Sequence, residues 1–251
     1  MNNEIVSKWN ATKTEKSIRE EFVKVFKSCP IPDDELLSNL FLFIKRHELS
    51  NLLFINELYK LNLDVQGIIA EFGVRWGRNL GLLSALRGIY EPFNHNRKIL
   101  GFDTFEGFTS VSKEDGTAED MREGAWSTSK NYEDYLKKIM DYHEQESPIS
   151  SIKKYKLIKG DASIEMEKYL KKNPQTIISL VYFDLVLYEP TLKCLYAIKD
   201  HLTKGSIVAF NEINNIHPGE TLAIKKVFGL DKYKIKHSSY CVDQAYFVIG
   251  E

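Results

Sequence analysis

The chain runs to 251 residues, and its 34 Lys and Arg nearly cancel its 35 Asp and Glu, leaving a net charge of −1. A chain so balanced has no global basic field for holding nucleic acid or an anionic membrane, and neither is expected as a partner. No run approaches the roughly 18–20 apolar residues of a spanning helix, and three cysteines without a C-x-x-C (Cys29, Cys194, Cys241) fit a reducing cytoplasm better than a disulfide or zinc framework.

Residues 1–10 (M-N-N-E-I-V-S-K-W-N) carry neither the apolar core nor the cleavage site of a secretory leader. Residues 14–60 read as helical. Ile18, Phe22, Val23 and Phe26 recur at one-face spacing, Pro30 and Pro32 interrupt, and Asp33-Asp34-Glu35 opens a new helix at the end its dipole favours. Residues 1–62 are expected to form a helical cap packed on the core, and residues 63–251 the core itself.

From residue 67 short apolar runs alternate with helical patterns. Strands are expected at Gly67–Gly73, Lys98–Asp103, Tyr155–Ile158, Thr176–Asp184 and Ser206–Phe210, and a closing antiparallel pair at Tyr233–His237 and Ala245–Ile249. Helices are expected at Leu80–Ile89, Pro190–Leu202 and Thr221–Phe228. Strands too apolar to face water imply a mostly parallel sheet with helices on both faces. Residues 108–150 break the rhythm. They are polar, hold Trp126 and a helix at Tyr132–Tyr142, and read as a lid insertion. Cys194 is expected in the core, and Lys153-Lys154 and Lys171-Lys172 on solvated faces.

In open α/β sheets ligands bind beyond the carboxyl ends of the strands. Here those ends read Glu71-Phe72-Gly73, Asp103, Lys159-Gly160-Asp161, Asp184 and Asn211-Glu212. Each polar residue alone could cap the following helix; five together suggest a site. The first turn has Gly73 and Gly77, a G-x-x-x-G with neither the dinucleotide G-x-G-x-x-G nor a P-loop G-K-[ST], so tight phosphate cradling is not expected. Glu71 before the glycines suits an ammonium, and Asp103 suits ribose hydroxyls. A nucleoside carrying an amino acid, such as S-adenosylmethionine (SAM), satisfies both.

These residues resemble a known family. Glu71-Phe72-Gly73-Val74 with Gly77 is similar to the first motif of Rossmann-like SAM-dependent methyltransferases. Gly101-Phe102-Asp103-Thr104-Phe105-Glu106-Gly107-Phe108 resembles the D-[ST]-F-E-G-[LF] segment of the macrocin O-methyltransferase-like family, and Tyr188-Glu189-Pro190-Thr191, four residues after Asp184, resembles its D-x-D-L-Y-E-x-T segment. The likeness spans roughly residues 50–250. It implies a Rossmann-like seven-stranded sheet, SAM as cofactor, methyl transfer to an oxygen of a small molecule, and a homodimer joined through the helical cap. It also implies cofactor contacts from Glu71, Gly73, Arg75, Gly77, Asn79, Asp103, Thr104, Phe105, Asp161, Ala162 and Asp184, with Phe102 beside the ribose and adenine.

Members of the family hold Mg²⁺ with an Asp after the fourth strand and an Asp-Asp pair after the fifth. This chain has Asp184 at the first place but Asn211-Glu212 at the second, and Val186 where the family has a candidate base. Asp184, Asn211 and Glu212 are therefore the expected Mg²⁺ ligands, a weaker set than three carboxylates. His217, in the loop after the fifth strand, is the expected base, Asp184 lies beside the reaction, and Tyr188 is expected to hydrogen-bond the acceptor. An acceptor that is already anionic would need no base and would give Arg75 or Arg78 a use. The expected acceptor is a sugar, a phosphate-type oxygen, or a bacterial surface-polysaccharide or natural-product precursor. Two other readings remain: a SAM-binding protein without turnover, suggested by Val186 and Asn211, and a nucleotide- or NAD-dependent enzyme on the same fold.

Overall fold

Five short apolar runs lie side by side as parallel strands in the computed structural model, which describes residues 12–251. They are β1 (Ile68–Phe72), β2 (Ile99–Asp103), β3 (Tyr155–Lys159), β4 (Ile178–Phe183) and β5 (Leu202–Phe210). The short β6 (Lys236–His237) and β7 (Ala245–Val248) complete a seven-stranded sheet in the order β3-β2-β1-β4-β5-β7-β6, with β7 antiparallel to both neighbours. Strand order reverses between β1 and β4, and this opens a crevice at their carboxyl ends.

Every residue of β1 and β4 is buried, because helices cover both faces. On one face lie α3 (Arg46–Leu61), α4 (Arg78–Tyr90) and α5 (Tyr132–Glu146). Their Phe54, Leu58, Leu80, Leu83, Leu136 and Met140 pack on Ile69, Leu180 and Tyr182. On the other lie α6 (Ala162–Lys172), α7 (Tyr188–Ile198) and α8 (Gly219–Val227), whose Met166, Cys194, Leu195 and Ile224 pack on Ala70, Val181 and Val208. The last apolar residue of four neighbouring strands is phenylalanine. Phe102, Phe72, Phe183 and Phe210 form a row of rings with centroids 5.2, 5.0 and 5.0 Å apart. Each ring precedes the residue that opens a loop: Asp103, Gly73, Asp184 and Asn211.

Several elements differ from expectation. Helix α6 was not expected, although Asp161 is a textual N-cap whose carboxylate accepts from the Ser163 and Ile164 N–H groups, and Met166 and Leu170 mark its apolar face. Helix α7 begins at Tyr188, since a proline in the first turn lacks only an N–H that has no intrahelical partner. It ends early enough for β5 to start at Leu202. Lys154 is not solvated. It is buried, pairs with Glu144 and donates to the Ile149 and Ile152 carbonyls at 2.8 Å. Cys194 is buried as expected.

Among the described residues of the N-terminal region, α3 supplies the buried side chains that pack on the core. Helix α1 (Lys13–Lys27), opened by a capping box between Thr12 and Glu15, buries no side chain, and neither do α2 (Asp33–Leu36) and the 3₁₀ segment Leu37–Phe43. Residues 1–11, read above for a leader, lie outside the described residues. The segment 108–150 also divides. Its first part crosses the crevice, whereas α5 belongs to the core, with Leu136 filling the space beside Gly77.

Gly73 fixes the first turn. Its φ is +89°, and a Cβ there would overlap the Asp184 backbone carbonyl. Gly73→Ala is expected to lower unfolding free energy by about 2 kcal/mol or more, read from the urea midpoint; an unchanged midpoint would show that the turn can relax.

Candidate functional site

A cavity of about 350 Å³ opens at the strand ends. Of the expected cofactor residues, Gly73, Arg75, Asp103, Thr104, Asp161, Ala162 and Asp184 line it, as do Asn211 and Glu212. Asp103 shapes one wall: its two oxygens accept from the Arg75 N–H at 2.7 Å and the Phe105 N–H at 2.6 Å, which ties the turn after β1 to the turn after β2. Both donors have positive φ, +48° and +60°, so the two turns hold their strained backbone through one carboxylate. Thr104 braces the second turn by donating to the Gly107 carbonyl at 3.0 Å. The Arg75 guanidinium, half-buried, lies 4.7 Å over the ring of Trp126 from segment 108–131.

Carboxylates crowd this crevice. Burial raises Glu71 well above the usual range, and Asp184 nearby raises it further. Burial also raises Asp103, against the pull of its backbone donors. Asp184 is pushed up to about 7 by burial, opposed by Arg78 and reinforced by Glu212. One oxygen of Glu71 is buried without a hydrogen-bond partner among the described residues. Two desolvated acids on the cavity wall, Asp103 and Asp184, with Glu71 buried behind it, favour a cationic guest, whose charge would draw all three toward their ionised forms.

A chain of buried amides crosses the floor from Arg78 to Asp184. Arg78 Nε donates to Asn79 Oδ1 at 3.3 Å and Asn51 Nδ2 donates to the same oxygen at 2.8 Å. Gln244 Nε2 donates to Asn51 Oδ1 at 2.8 Å and to Asn211 Oδ1 at 3.0 Å, and Asn211 Nδ2 donates to Asp184 Oδ1 at 2.9 Å. Asn51 and Gln244, with His47 and Glu48 from the start of α3, line the cavity and were not expected there. Nothing in their local sequence marks them, because the topology that brings α3 and the start of β7 together is not a local pattern.

Glu220, also missed, braces the loops. Fully buried, it accepts from the Leu185 and Val186 N–H groups at 3.0 and 3.1 Å and from the Glu212 N–H at 3.3 Å. Val186 consequently sits at φ +65°, a costly conformation for a β-branched residue. The segment 108–131 is tied down nearby, with the Tyr188 N–H donating to Asp115 Oδ1 at 2.5 Å.

Other expected residues lie elsewhere. Glu71, Gly77 and Asn79 sit behind the cavity wall. Phe102 and Phe105 are core side chains and do not flank the cavity. The Tyr188 ring packs against the core beneath α7. His217 does not reach the cavity: its Nδ1 meets Glu212 Oε2, its Nε2 lies 3.3 Å from Asp120 Oδ1, and the two carboxylates raise its pKa. With both ring nitrogens turned to carboxylates, the ring presents neither to the cavity and braces Glu212. The expected Mg²⁺ set also fails to converge. Asn211 turns its N–H toward Asp184 and its oxygen toward Tyr182 and Gln244, and one Glu212 oxygen is taken by His217 and Asn215. Donor N–H groups cannot ligate a cation, and these three residues do not fit the metal as arranged.

A seven-stranded sheet with this switch-point crevice defines the class of Rossmann-like methyltransferases. No family model and no curated protein sequence matches the chain. Among solved structures, the calicheamicin methyltransferase CalS11 is 42% identical over 97% of this chain and 95% of its own, with a TM-score of 0.94. An apo structure of CalS11, described as a TDP-rhamnose 3′-O-methyltransferase of calicheamicin biosynthesis, is 40% identical over 97% of both chains, with a TM-score of 0.85. The O-methyltransferase NovP, 17% identical with a TM-score of 0.56, shares the fold. The chain belongs to the SAM-dependent O-methyltransferase family. It is an enzyme that moves a methyl group from SAM to an oxygen of a small molecule, and the NAD-dependent and non-catalytic readings fall away. No helix among the described residues is long and apolar enough to cross a membrane.

The raised Asp184 has a sign that can be checked. A carboxyl that is harder to ionise in the folded state costs nothing below its unfolded value near 3.8, and its penalty grows until pH passes about 7. Asp184→Asn, without ligand and in chelator, is therefore expected to gain stability over the unaltered chain progressively from pH 4 to pH 8. A constant difference in urea midpoint across that range would contradict the burial cost.

Proposed function

We propose that the chain methylates a sugar hydroxyl of a nucleotide sugar. The observation that carries the reading is the pairing of a cation-seeking crevice at β1, β2 and β4 with a second half of the same cavity at Asp184, Asn211 and Glu212. The 40% identity to a TDP-rhamnose 3′-O-methyltransferase over nearly the whole chain supports the substrate class.

Asp103 would hold the ribose hydroxyls while its loop amides keep it in place. Gly73 lets the backbone approach the methionine end, and Glu71 acts on the ammonium from beneath the turn. Asp161 and Ala162 stand at the adenine edge. When bound, SAM supplies an electrophilic methyl on a sulfonium: the carbon–sulfur bond breaks as the carbon–oxygen bond forms. Asp184 is the base. Its Oδ1 is occupied by Asn211, and its other oxygen, with no hydrogen-bond partner among the described residues, is free to take the hydroxyl proton once the cofactor's positive charge has drawn the carboxyl to its ionised form. Glu212, oriented by His217, stands beside it. Mg²⁺ has no part in this reading.

The homodimer belongs here too. Leu37, Phe41 and Leu42, close together in one 3₁₀ segment, are 76%, 68% and 69% exposed, apolar surface that a second copy would cover. Sedimentation velocity should read two copies, and Phe41→Ser one; a monomeric unaltered chain removes the dimer.

Two substitutions separate the proposed roles. Asp103→Ala should weaken binding of the demethylated cofactor about ten- to a hundred-fold by calorimetry, since a hydrogen bond to a charged group contributes about 1.5–3 kcal/mol. Asp184→Asn should leave that binding within a few-fold and reduce kcat on TDP-rhamnose about 10²–10⁴-fold. Turnover retained in Asp184→Asn would dismiss it as base.

A further inference from the structure

Gln244, in the turn that enters β7, is buried with 4% of its surface exposed, and it lines the cavity beside Asn211 and Glu212. Its Nε2 is engaged by Asn51, Asn211 and the Tyr182 hydroxyl, but its Oε1 is buried and has no partner among the described residues. A buried acceptor left unpaired costs about 1–3 kcal/mol, and native sites rarely carry one without a use.

The orientation of this amide is fixed from both ends. A guanidinium only donates, so Arg78 makes Asn79 Oδ1 an acceptor. Asn51 must then turn its Nδ2 toward Asn79 and its oxygen toward Gln244. At the far end Asp184, ionised when it acts as base, only accepts, so it draws Asn211 Nδ2 and turns the Asn211 oxygen toward Gln244 as well. Gln244 is thus flanked by two amide oxygens that accept, beside the Tyr182 hydroxyl. Rotating its amide would set its own oxygen against both, 2.8 and 3.0 Å away, with only the Tyr182 hydroxyl, which already donates to Asn211, within reach as a donor. The chain of amides forces Oε1 to be the free atom.

The free atom seeks a donor, and its place in the sheet selects which. Strand order from Asp103 to Gln244 runs β2, β1, β4, β5, β7, four strand spacings or about 19 Å. That removes it from the ribose side and sets it next to Asp184, where the acceptor enters. The reacting hydroxyl gives its proton to Asp184, so the donor for Gln244 is a neighbour on the same ring. We propose that Gln244 Oε1 accepts a hydrogen bond from a sugar hydroxyl adjacent to the one methylated, and so sets the ring position that receives the methyl group. This rests on the nucleotide-sugar reading above.

The test is a substrate–enzyme cycle. The unaltered chain and Gln244→Met, which keeps the shape without the oxygen, are each assayed with TDP-rhamnose and with its 2-deoxy and 4-deoxy forms. Binding of the demethylated cofactor is measured alongside. The unaltered chain should lose about three- to ten-fold in kcat/KM on one deoxy form, the range of one neutral hydrogen bond. Gln244→Met should lose as much on TDP-rhamnose itself, not discriminate against that deoxy form, and bind the cofactor as before. Asn51→Leu breaks the amide chain but leaves Oε1, so it should keep the discrimination; its loss there would show a merely structural role and overturn the assignment. So would equal discrimination by Gln244→Met, or a shift confined to cofactor affinity, which would place the ammonium at Oε1. If Gln244→Met does not fold, equal turnover of all three sugars by the unaltered chain overturns it. No turnover of TDP-rhamnose by the unaltered chain sinks the nucleotide-sugar reading and this assignment with it; turnover without the deoxy effect sinks only the assignment.

Discussion

The site depends on the row of phenylalanines that closes the apolar part of the sheet. Side chains alternate across a strand, so a ring driven into one face at the last apolar position places the following residue at the rim. Phe102, Phe72, Phe183 and Phe210 do this on four adjacent strands. Asp103, Gly73, Asp184 and Asn211 consequently arrive at one level, in register, before any loop has chosen its path. The packed rings keep water from below, and burial then raises the acids above them. A hydrophobic packing constraint thus produces the electrostatics of the crevice.

That constraint explains what could be read in the sequence. Short apolar runs ending in Phe-Asp, Phe-Gly and Phe-Asn are local signals, and they located the strands and the strand-end part of the cavity lining. The parts that escaped are relations between distant segments. Asn51 and Gln244 meet across 193 positions, and Glu220 braces a loop 34 positions upstream. His217 looked like a base because a loop histidine after a strand end often is one. Its two carboxylate neighbours, one of them Asp120 in the crossing segment, exist only in three dimensions. The Asn211-Glu212 departure was visible as a weakened metal set, but that the asparagine presents its N–H to Asp184 follows from the amide chain, not from the pair itself.

Strain is concentrated around the same loops. Arg75, Phe105, Trp126 and Val186 all have positive φ, and each has a restraint or a partner nearby: Asp103 for the first two, the Arg75 guanidinium for the third, Glu220 for the fourth. Acids serve here as clamps as much as reagents. Glu220 never reaches the cavity, yet it sets the backbone next to Asp184 and the backbone of Glu212, so the two proposed acceptor-side groups share one anchor.

The doubly bonded Asp103 has one further consequence. Its oxygens draw the two turns together while the chain folds, so the entropy of ordering those turns is lost at folding and not at the moment of encounter. The ribose-side wall is then rigid before anything arrives. Association on that side then pays little for ordering the wall, and selectivity rests on which guest offers donors to the carboxylate in that fixed position.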